Sequence, residues 1–164
     1  MPGKPTYIFF LGKGGVGKST SAALAALKYA RQHQPVLLVS LDPAHNQSDI
    51  FARQFNEKLT RISEFLAVKE INLNQWIQKY LQEVQSQVSR SYTYLTALNL
   101  EKYLDVLKYS PGIEEYALLL AFNDVRSSAT EFEIIVFDMP PTALALRFLG
   151  LPRLTLLWLE KLLD

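Results

Sequence analysis

The 164-residue sequence predicts an α/β fold built on a doubly wound, mostly parallel sheet, and three observations favour this class. Two apolar runs, residues 7–11 and 36–40, lie on either side of an alanine- and leucine-rich stretch that has the length of a helix. A strand, a helix and a second strand within about 35 residues form a βαβ unit, whose strands are parallel with a right-handed crossover. A further apolar run at residues 133–138 ends in an aspartate and indicates another strand of the same sheet.

The individual elements follow from the apolar pattern and from the residues that start and stop helices. A continuous apolar run such as residues 7–11 is typical of a strand that is buried on both faces of a sheet. Residues 19–31 predict a helix because alanine and leucine dominate there and Arg31 lies near its end. In chain order, strands are predicted at 7–11, 36–40, 65–68 and 133–138, and the first helix at 19–31.

A helical insertion is predicted at about residues 72–128, before the last strand. Apolar side chains recur there every three or four residues, which covers one face of a helix and favours a role in the core. A Pro-Gly pair at 111–112 interrupts the pattern, and residues 113–125 resume it. Glu114 and Glu115 fall in the first turn of that last helix, where negative charge stabilises the helix dipole.

Composition and charge exclude several classes of protein. Lysine plus arginine number 17 and aspartate plus glutamate 16, so the formal charge of +1 argues against a nucleic-acid partner. The chain has no cysteine, which excludes a disulfide scaffold, a cysteine-ligated zinc site and a thiol nucleophile within these residues. The most hydrophobic stretch, residues 142–163, is interrupted by charged side chains and by Pro152, so we do not expect it to span a membrane. A cytoplasmic protein is expected.

The most specific motif is the segment GKGGVGKST at residues 12–20, which matches the phosphate-binding pattern G-x-x-x-x-G-K-[ST]. Glycines allow successive backbone N–H groups to curl towards phosphate oxygens, and the following helix directs its positive end at the same anion. In this pattern Lys18 reaches the β- and γ-phosphates of a nucleotide, and the hydroxyl of Ser19 ligates Mg²⁺. The residues predicted to bind the nucleotide are Gly12, Gly14, Gly15, Val16, Gly17, Lys18, Ser19 and Thr20.

The same glycines also fit the pattern G-x-G-x-x-G of dinucleotide-binding folds, and Asp42 occupies the place of the acid that binds the ribose. A nicotinamide-dependent oxidoreductase is therefore an alternative. This alternative does not explain why Lys18 and Ser19 follow the last glycine, or why Asp138 ends the strand at 133–138. The phosphate-binding loop (P-loop) of a nucleoside triphosphatase is the favoured interpretation.

Two aspartates are predicted at the carboxyl edge of the sheet, where ligands bind in open α/β folds. Asp42 lies just past the second strand and could orient or deprotonate the water that attacks a γ-phosphate, although an Asp-Pro turn alone also accounts for it. Asp138 ends its strand and has the placement of a carboxylate that holds Mg²⁺ through water. His45 near Asp42 and Asp49 suggests a metal site, but a loop histidine is more often solvated and is not assigned as a ligand.

Four segments together, GKGGVGKST, SLDPAHNQSDIF, PGIEE and FDMPPTALALRFLGLP, resemble the motifs of the ArsA/guided-entry ATPase family. That family contains arsenical-pump ATPases and targeting factors for tail-anchored membrane proteins. The segment DPAHN distinguishes it from septum-site and partition ATPases, which share the lysine-bearing loop. The resemblance implies a P-loop ATPase that binds ATP and Mg²⁺ and works as a homodimer through its nucleotide face.

The resemblance also implies a role for each site residue. Lys13 would reach the nucleotide of the facing subunit and would act in catalysis together with Lys18. Asp42, in the first switch segment, would activate the hydrolytic water. Ser19 would bind Mg²⁺, and Asp138, in the second switch segment, would help to hold that ion.

Two departures from the family pattern shape these expectations. Ala143 and Leu144 stand where the family usually has glycine and histidine, so we expect slower hydrolysis or altered coupling to a client. Family chains are also much longer, so the resemblance implies that residues 1–164 form an ATPase domain that is incomplete at its C-terminus. The sequence is then either a fragment or a natural short form whose sheet edge and nucleotide pocket are completed by another chain. We expect the missing strands to leave an open sheet edge that favours association with another chain.

Three functions are compatible with the sequence. The first is an ATP-hydrolysing switch of this family with a membrane-protein client. The second is the motor subunit of an arsenite or antimonite efflux pump with a membrane partner, which the absence of cysteine disfavours in these residues. The third is a nucleotide-binding interaction module with little hydrolysis, which Ala143 and Leu144 motivate.

Overall fold

A computed structural model describes residues 5–44, 46–91 and 110–163 of the chain. Five strands and five helices are found in these residues. The strands are β1 (Thr6–Phe10), β2 (Val36–Ser40), β3 (Thr60–Ser63), β4 (Leu66–Glu70) and β5 (Ile134–Asp138). The helices are α1 (Lys18–Arg31), α2 (Asn46–Ile50), α3 (Leu73–Ser91), α4 (Ile113–Ser128) and α5 (Thr142–Leu163).

The strands form one sheet in the order β1-β5-β2-β4-β3. The pairs β1–β5, β5–β2 and β2–β4 are parallel, and only β3 pairs antiparallel, with β4. The predicted α/β class with a mostly parallel sheet is therefore confirmed. Strand β3 was not predicted, because its sequence TRIS contains one strongly apolar residue and therefore shows no apolar run.

Strand β1 differs from its prediction in burial. Its apolar sequence predicted a strand covered on both faces, but Thr6 is exposed and the other four residues are only half-buried. Strands β2 and β5, whose sequences are similarly apolar, are completely buried. The reason is position: β1 is the end strand of the described sheet, so its neighbours cover it from one side only.

Helices pack on both faces of the sheet, as a doubly wound fold requires. On one face, the small side chains Ala22, Ala23 and Ala26 bring α1 close to Leu38 and Val136. The other face is covered by the apolar sides of α3, α4 and α5. The core there consists mainly of Leu37, Val39, Trp76, Ala117, Leu118, Ala121, Ile135, Phe137 and Phe148.

The carboxyl ends of the central strands form a polar row on the α1 face. Asp138 is paired in register with Ser40, and Ser40 with Glu70, and all three side chains are buried. Because alternate strand residues point to the same face, Ser40 and Asp138 lie on the side where Leu38 and Val136 pack against α1. This row forms the floor on which the candidate site is built.

The helical segment between β4 and β5 is described in two parts, α3 and α4. Trp76 and Leu81 of α3 are buried, which agrees with the interpretation of its apolar face as core. Residues 92–109 lie outside the described residues, so the extent of the insertion at 72–128 stays a prediction. Helix α5 contains Pro152, and no helix among the described residues is long and apolar enough to cross a membrane.

Candidate phosphate-binding site

The P-loop connects β1 to α1 and has the backbone that its glycines predict. Gly15 and Gly17 have φ angles of 78° and 83°, in the left-handed region that residues with a Cβ rarely adopt. Gly17 is also the N-cap of α1, and it has no side chain to cap the N–H groups of the first turn. The unpaired N–H groups of this turn, with the positive end of the helix dipole, are the donors that bind anions at helix N-termini.

The side chain of Lys18 lies between two buried aspartates. Its Nζ donates to Asp42 Oδ2 at 2.7 Å and to Asp138 Oδ1 at 3.0 Å. The side chains of the three residues are 5%, 9% and 0% exposed, respectively. Burial by itself would lower the pKa of Lys18, but the hydrogen bonds and charges of Asp42 and Asp138 outweigh it and raise that pKa above 10.5. The ammonium is therefore charged at neutral pH, and it links the P-loop to the ends of β2 and β5.

Two residues of α2 that sequence analysis did not identify also belong to the site. Gln47 is completely buried, and its Nε2 donates to Asp138 Oδ2 at 3.0 Å and to the backbone oxygen of Ser19 at 3.2 Å. Asn46 Nδ2 donates to Ser19 Oγ at 3.4 Å. The sequence feature that could have identified them is their position, because both amides follow the predicted switch residue Asp42 at the carboxyl edge of the sheet. His45, between them and Asp42, lies outside the described residues.

A cavity of about 470 Å³ opens over the P-loop, within the size range of small-ligand sites. Most of the sequence-predicted residues line it, whereas Gly12 and Val16 do not, and Asp138 lies beneath Lys18. Val16 is 64% exposed, and a Cβ built on Gly12 would approach the Val16 side chain to 3.0 Å. The predicted residues that line the cavity are Lys13, Gly14, Gly15, Gly17, Lys18, Ser19, Thr20 and Asp42.

The site fits a nucleoside triphosphate accompanied by a divalent cation. Built Cβ atoms at Gly14, Gly15 and Gly17 meet nothing within 4 Å, so the cradle above the loop is open. Carboxylates outnumber ammonium groups around the cavity, so a polyanionic ligand needs an added cation to balance its charge. No group of three His, Cys, Asp or Glu side chains in the described part of the chain is arranged to hold a metal. A Mg²⁺ ion here would take most of its ligands from phosphate and water, as Mg²⁺ usually does.

The two residues that depart from the family pattern lie in the segment after β5. Ala143 and Leu144 lie in the first turn of α5, where Leu144 N donates to the backbone oxygen of Pro141 at 3.0 Å. The backbone of Ala143 is not in the left-handed region, which among described non-glycine residues is occupied only by His33 and Ala52. Alanine is therefore compatible with this conformation, since it is a strong helix former.

A P-loop that leads from a parallel strand into a helix packed on one face of a doubly wound sheet defines the P-loop NTPase fold. The sequence also matches the family model of the anion-transporting ATPases over residues 5–164, and the chain belongs to this family. The resemblance stated from the motifs is confirmed.

Similar proteins come from both branches that the sequence suggested. One, from Aquifex aeolicus, is assigned by its name to the arsenical pump-driving ATPases and is 39% identical over 135 residues, which is 82% of this chain and 45% of the relative. ATPase GET3 of Mycosarcoma maydis is 34% identical over 150 residues, 89% of this chain and 42% of the relative. ATPase get3 of Aspergillus terreus is 36% identical over 151 residues, 89% of this chain and 43% of the relative. The chain thus spans less than half the length of these relatives.

Proposed function

We propose that this chain binds ATP with Mg²⁺ over the P-loop and belongs to an ATP-hydrolysing switch. The observation that carries the proposal is the buried contact of Lys18 with both Asp42 and Asp138. It brings the cation of the P-loop and the two carboxylates of the switch segments to one point, at the floor of an open glycine cradle. Phosphoryl transfer depends on this combination, because catalysis there consists mainly of positioning and charge stabilisation.

Phosphate binding is assigned to the P-loop backbone and to Lys18. The N–H groups of residues 12–20 bind the phosphate oxygens, with Val16 contributing through its backbone and Thr20 through the first turn of α1. When its ammonium moves to a phosphate oxygen, Lys18 gives up its contacts with both carboxylates. The exchange leaves Asp138 Oδ1 without its ammonium partner. Ser19 and Asp138 would be the residues that hold a Mg²⁺ ion, which would supply a positive charge in place of the ammonium.

Water activation is assigned to Asp42. Its Oδ1 accepts a hydrogen bond from Ala44 N at 3.0 Å, which fixes the orientation of the carboxylate. Its Oδ2 is held by Lys18, so movement of the ammonium to the phosphates releases an oriented oxygen at the cavity wall. This oxygen is suited to orient the attacking water and to accept its proton.

A more specific part of the proposal concerns the proteins with which this chain associates. Lys13 is exposed at the rim of the cavity, a position from which its long side chain is available to a nucleotide held by a second copy of the chain. We therefore assign it a catalytic role across a homodimer that forms through the nucleotide face in the cytoplasm. The resemblance to the guided-entry branch favours a membrane-protein client, and the relative named as an arsenical pump-driving ATPase favours a membrane pump partner. The absence of cysteine disfavours an arsenite site within residues 1–164, because arsenite binds thiols.

The test is Mg²⁺-dependent release of phosphate from ATP. We expect turnover in the parent chain and its loss in Lys18→Ala and Asp42→Asn, with Lys28→Ala, an exposed lysine of the same helix, as the matched control. Lys13→Ala should retain ATP binding and lose turnover. Tight ATP binding without turnover in the parent would favour the interaction module, and normal turnover in Lys18→Ala would refute the assigned site. Stimulation of turnover by antimonite would favour the pump.

A further inference from the structure

Gln47 is a buried polar side chain with an unusual set of contacts. It is 0% exposed on the short helix α2, and its amide nitrogen bonds both to the carboxylate of Asp138 and to the backbone of Ser19. Glutamine is rarely buried completely, since its amide loses its hydrogen bonds to water. We propose that Gln47 is a positioning residue, which holds the carboxylate of Asp138 in the orientation that serves the cation of the nucleotide. This role rests on the proposed function.

The direction of the Gln47 amide follows from its partners. Asp138 Oδ2 and the Ser19 carbonyl oxygen are both acceptors, so only the amide nitrogen can face them. The other amide atom, Oε1, is buried and makes no hydrogen bond with the described residues. A leucine at position 47 would avoid the free-energy cost of burying an acceptor that makes no hydrogen bond. The position therefore uses the donor function of the amide, which a purely space-filling residue would not provide.

The two oxygens of Asp138 are divided between two donors. Oδ1 accepts from the ammonium of Lys18 at 3.0 Å, and Oδ2 accepts from Gln47 at 3.0 Å. When Lys18 turns to the phosphates, Oδ1 becomes available, whereas Oδ2 remains bonded to Gln47. Without the amide, the carboxylate would lose its fixed orientation at the moment it has to serve the cation. Groups that orient metal-binding side chains in this way typically change metal affinity ten- to a hundredfold when they are removed.

Helix α2 is also attached to the sheet by contacts that do not involve Gln47. These contacts make it possible to distinguish a role of Gln47 in orienting Asp138 from a role in holding α2 in place. Ser48 donates to the buried Glu70 through its backbone N–H at 3.0 Å and through its hydroxyl at 2.8 Å. These contacts do not involve Asp138. Substitution of Gln47 therefore leaves α2 attached to the end of β4, and Ser48→Ala weakens this attachment without touching the Gln47–Asp138 contact.

The experiment is calorimetric titration of the full chain with ATP at a series of MgCl₂ concentrations. In Gln47→Leu we expect the half-saturating Mg²⁺ concentration for tight ATP binding to rise about tenfold or more. The affinity for ATP without Mg²⁺ should stay unchanged, because no phosphate contact is assigned to Gln47, whose amide bonds to Asp138 and to the Ser19 backbone. Ser48→Ala is the matched control and should keep the parent Mg²⁺ dependence.

The outcomes separate this inference from the proposed function. An unchanged Mg²⁺ dependence in Gln47→Leu, or the same change in Ser48→Ala, would overturn the positioning role alone. A parent chain that binds no ATP at any Mg²⁺ concentration would overturn the proposed function and this role with it. If Gln47→Leu does not fold by circular dichroism, Gln47→Met is the second variant, because it keeps the unbranched shape and removes the donor. The same shift is expected for it.

Discussion

Replacing Lys18 by methionine tests the charge arrangement of the site without any ligand. The variant keeps a long unbranched side chain but leaves Asp42 and Asp138, 9% and 0% exposed, without the ammonium between them. Unit charges about 4 Å apart attract each other by about 4 kcal/mol at an effective dielectric constant of about 20. Desolvation of the ions offsets much of this attraction, whereas removal of one member of a buried ion pair typically costs about 3–5 kcal/mol. We therefore expect Lys18→Met to lower the free energy of unfolding by about 3–5 kcal/mol.

The assay is urea unfolding followed by circular dichroism, with unfolding free energies compared at equal m-values. The control Lys28→Met, which replaces an exposed side chain in the last turn of α1, should change stability by less than about 0.5 kcal/mol. Adding Asp138→Asn to Lys18→Met should recover part of the loss, because neighbouring charges couple in a double-mutant cycle. A loss below about 1 kcal/mol in Lys18→Met, or strictly additive effects in the cycle, would refute the account of a buried ion triad.

The remaining predictions concern the loop backbone, the core and the pH range of stability. Gly17→Ala should cost about 1–2 kcal/mol because its φ is 83°, whereas Gly14→Ala, with open space and no positive φ, should be near neutral; urea midpoints of the two variants are compared. Phe137→Ala should cost about 3–5 kcal/mol, against less than about 0.5 kcal/mol for the exposed Leu24→Ala, and equal midpoints would contradict the assigned core. The pKa of Lys18 is raised by folding, so its contribution to stability is present below pH 10.5 and is lost as pH rises through the higher folded value. The unfolding free energy should therefore fall more steeply above pH 10.5 in the parent than in Lys18→Met, and parallel profiles would contradict the shift.

Local sequence patterns predicted the strands and the helix that carry the charged residues of the site to one edge of the sheet. The apolar run of β5, the helix after the glycines and the turn after β2 were sufficient to place Lys18, Asp42 and Asp138 at one edge of the sheet. The contact of one ammonium with both carboxylates depends on side-chain directions in three elements, and no local pattern specifies it.

The features that sequence analysis missed depend on tertiary neighbours. β1 and β2 have equally apolar sequences, yet β1 is only half-buried because it is the end strand of the described sheet. β3 forms because β4 offers it backbone partners, not because its own sequence alternates strongly. Gln47 is polar and follows a turn, so its pattern is typical of an exposed loop. Its complete burial results from the packing of α2 against Asp138 and the start of α1.

The central claim, that the P-loop backbone binds the phosphates of Mg·ATP, is tested most directly by amide NMR of the ¹⁵N-labelled chain. Spectra are compared without ligand, with ATP, and with ATP and MgCl₂. The account predicts that the largest shifts occur at the amides of Gly14, Gly15, Gly17, Lys18 and Ser19, because N–H groups that bind phosphate change their environment most. Saturating Mg·ATP that leaves these amides unshifted, or that shifts mainly residues away from the loop, would contradict it.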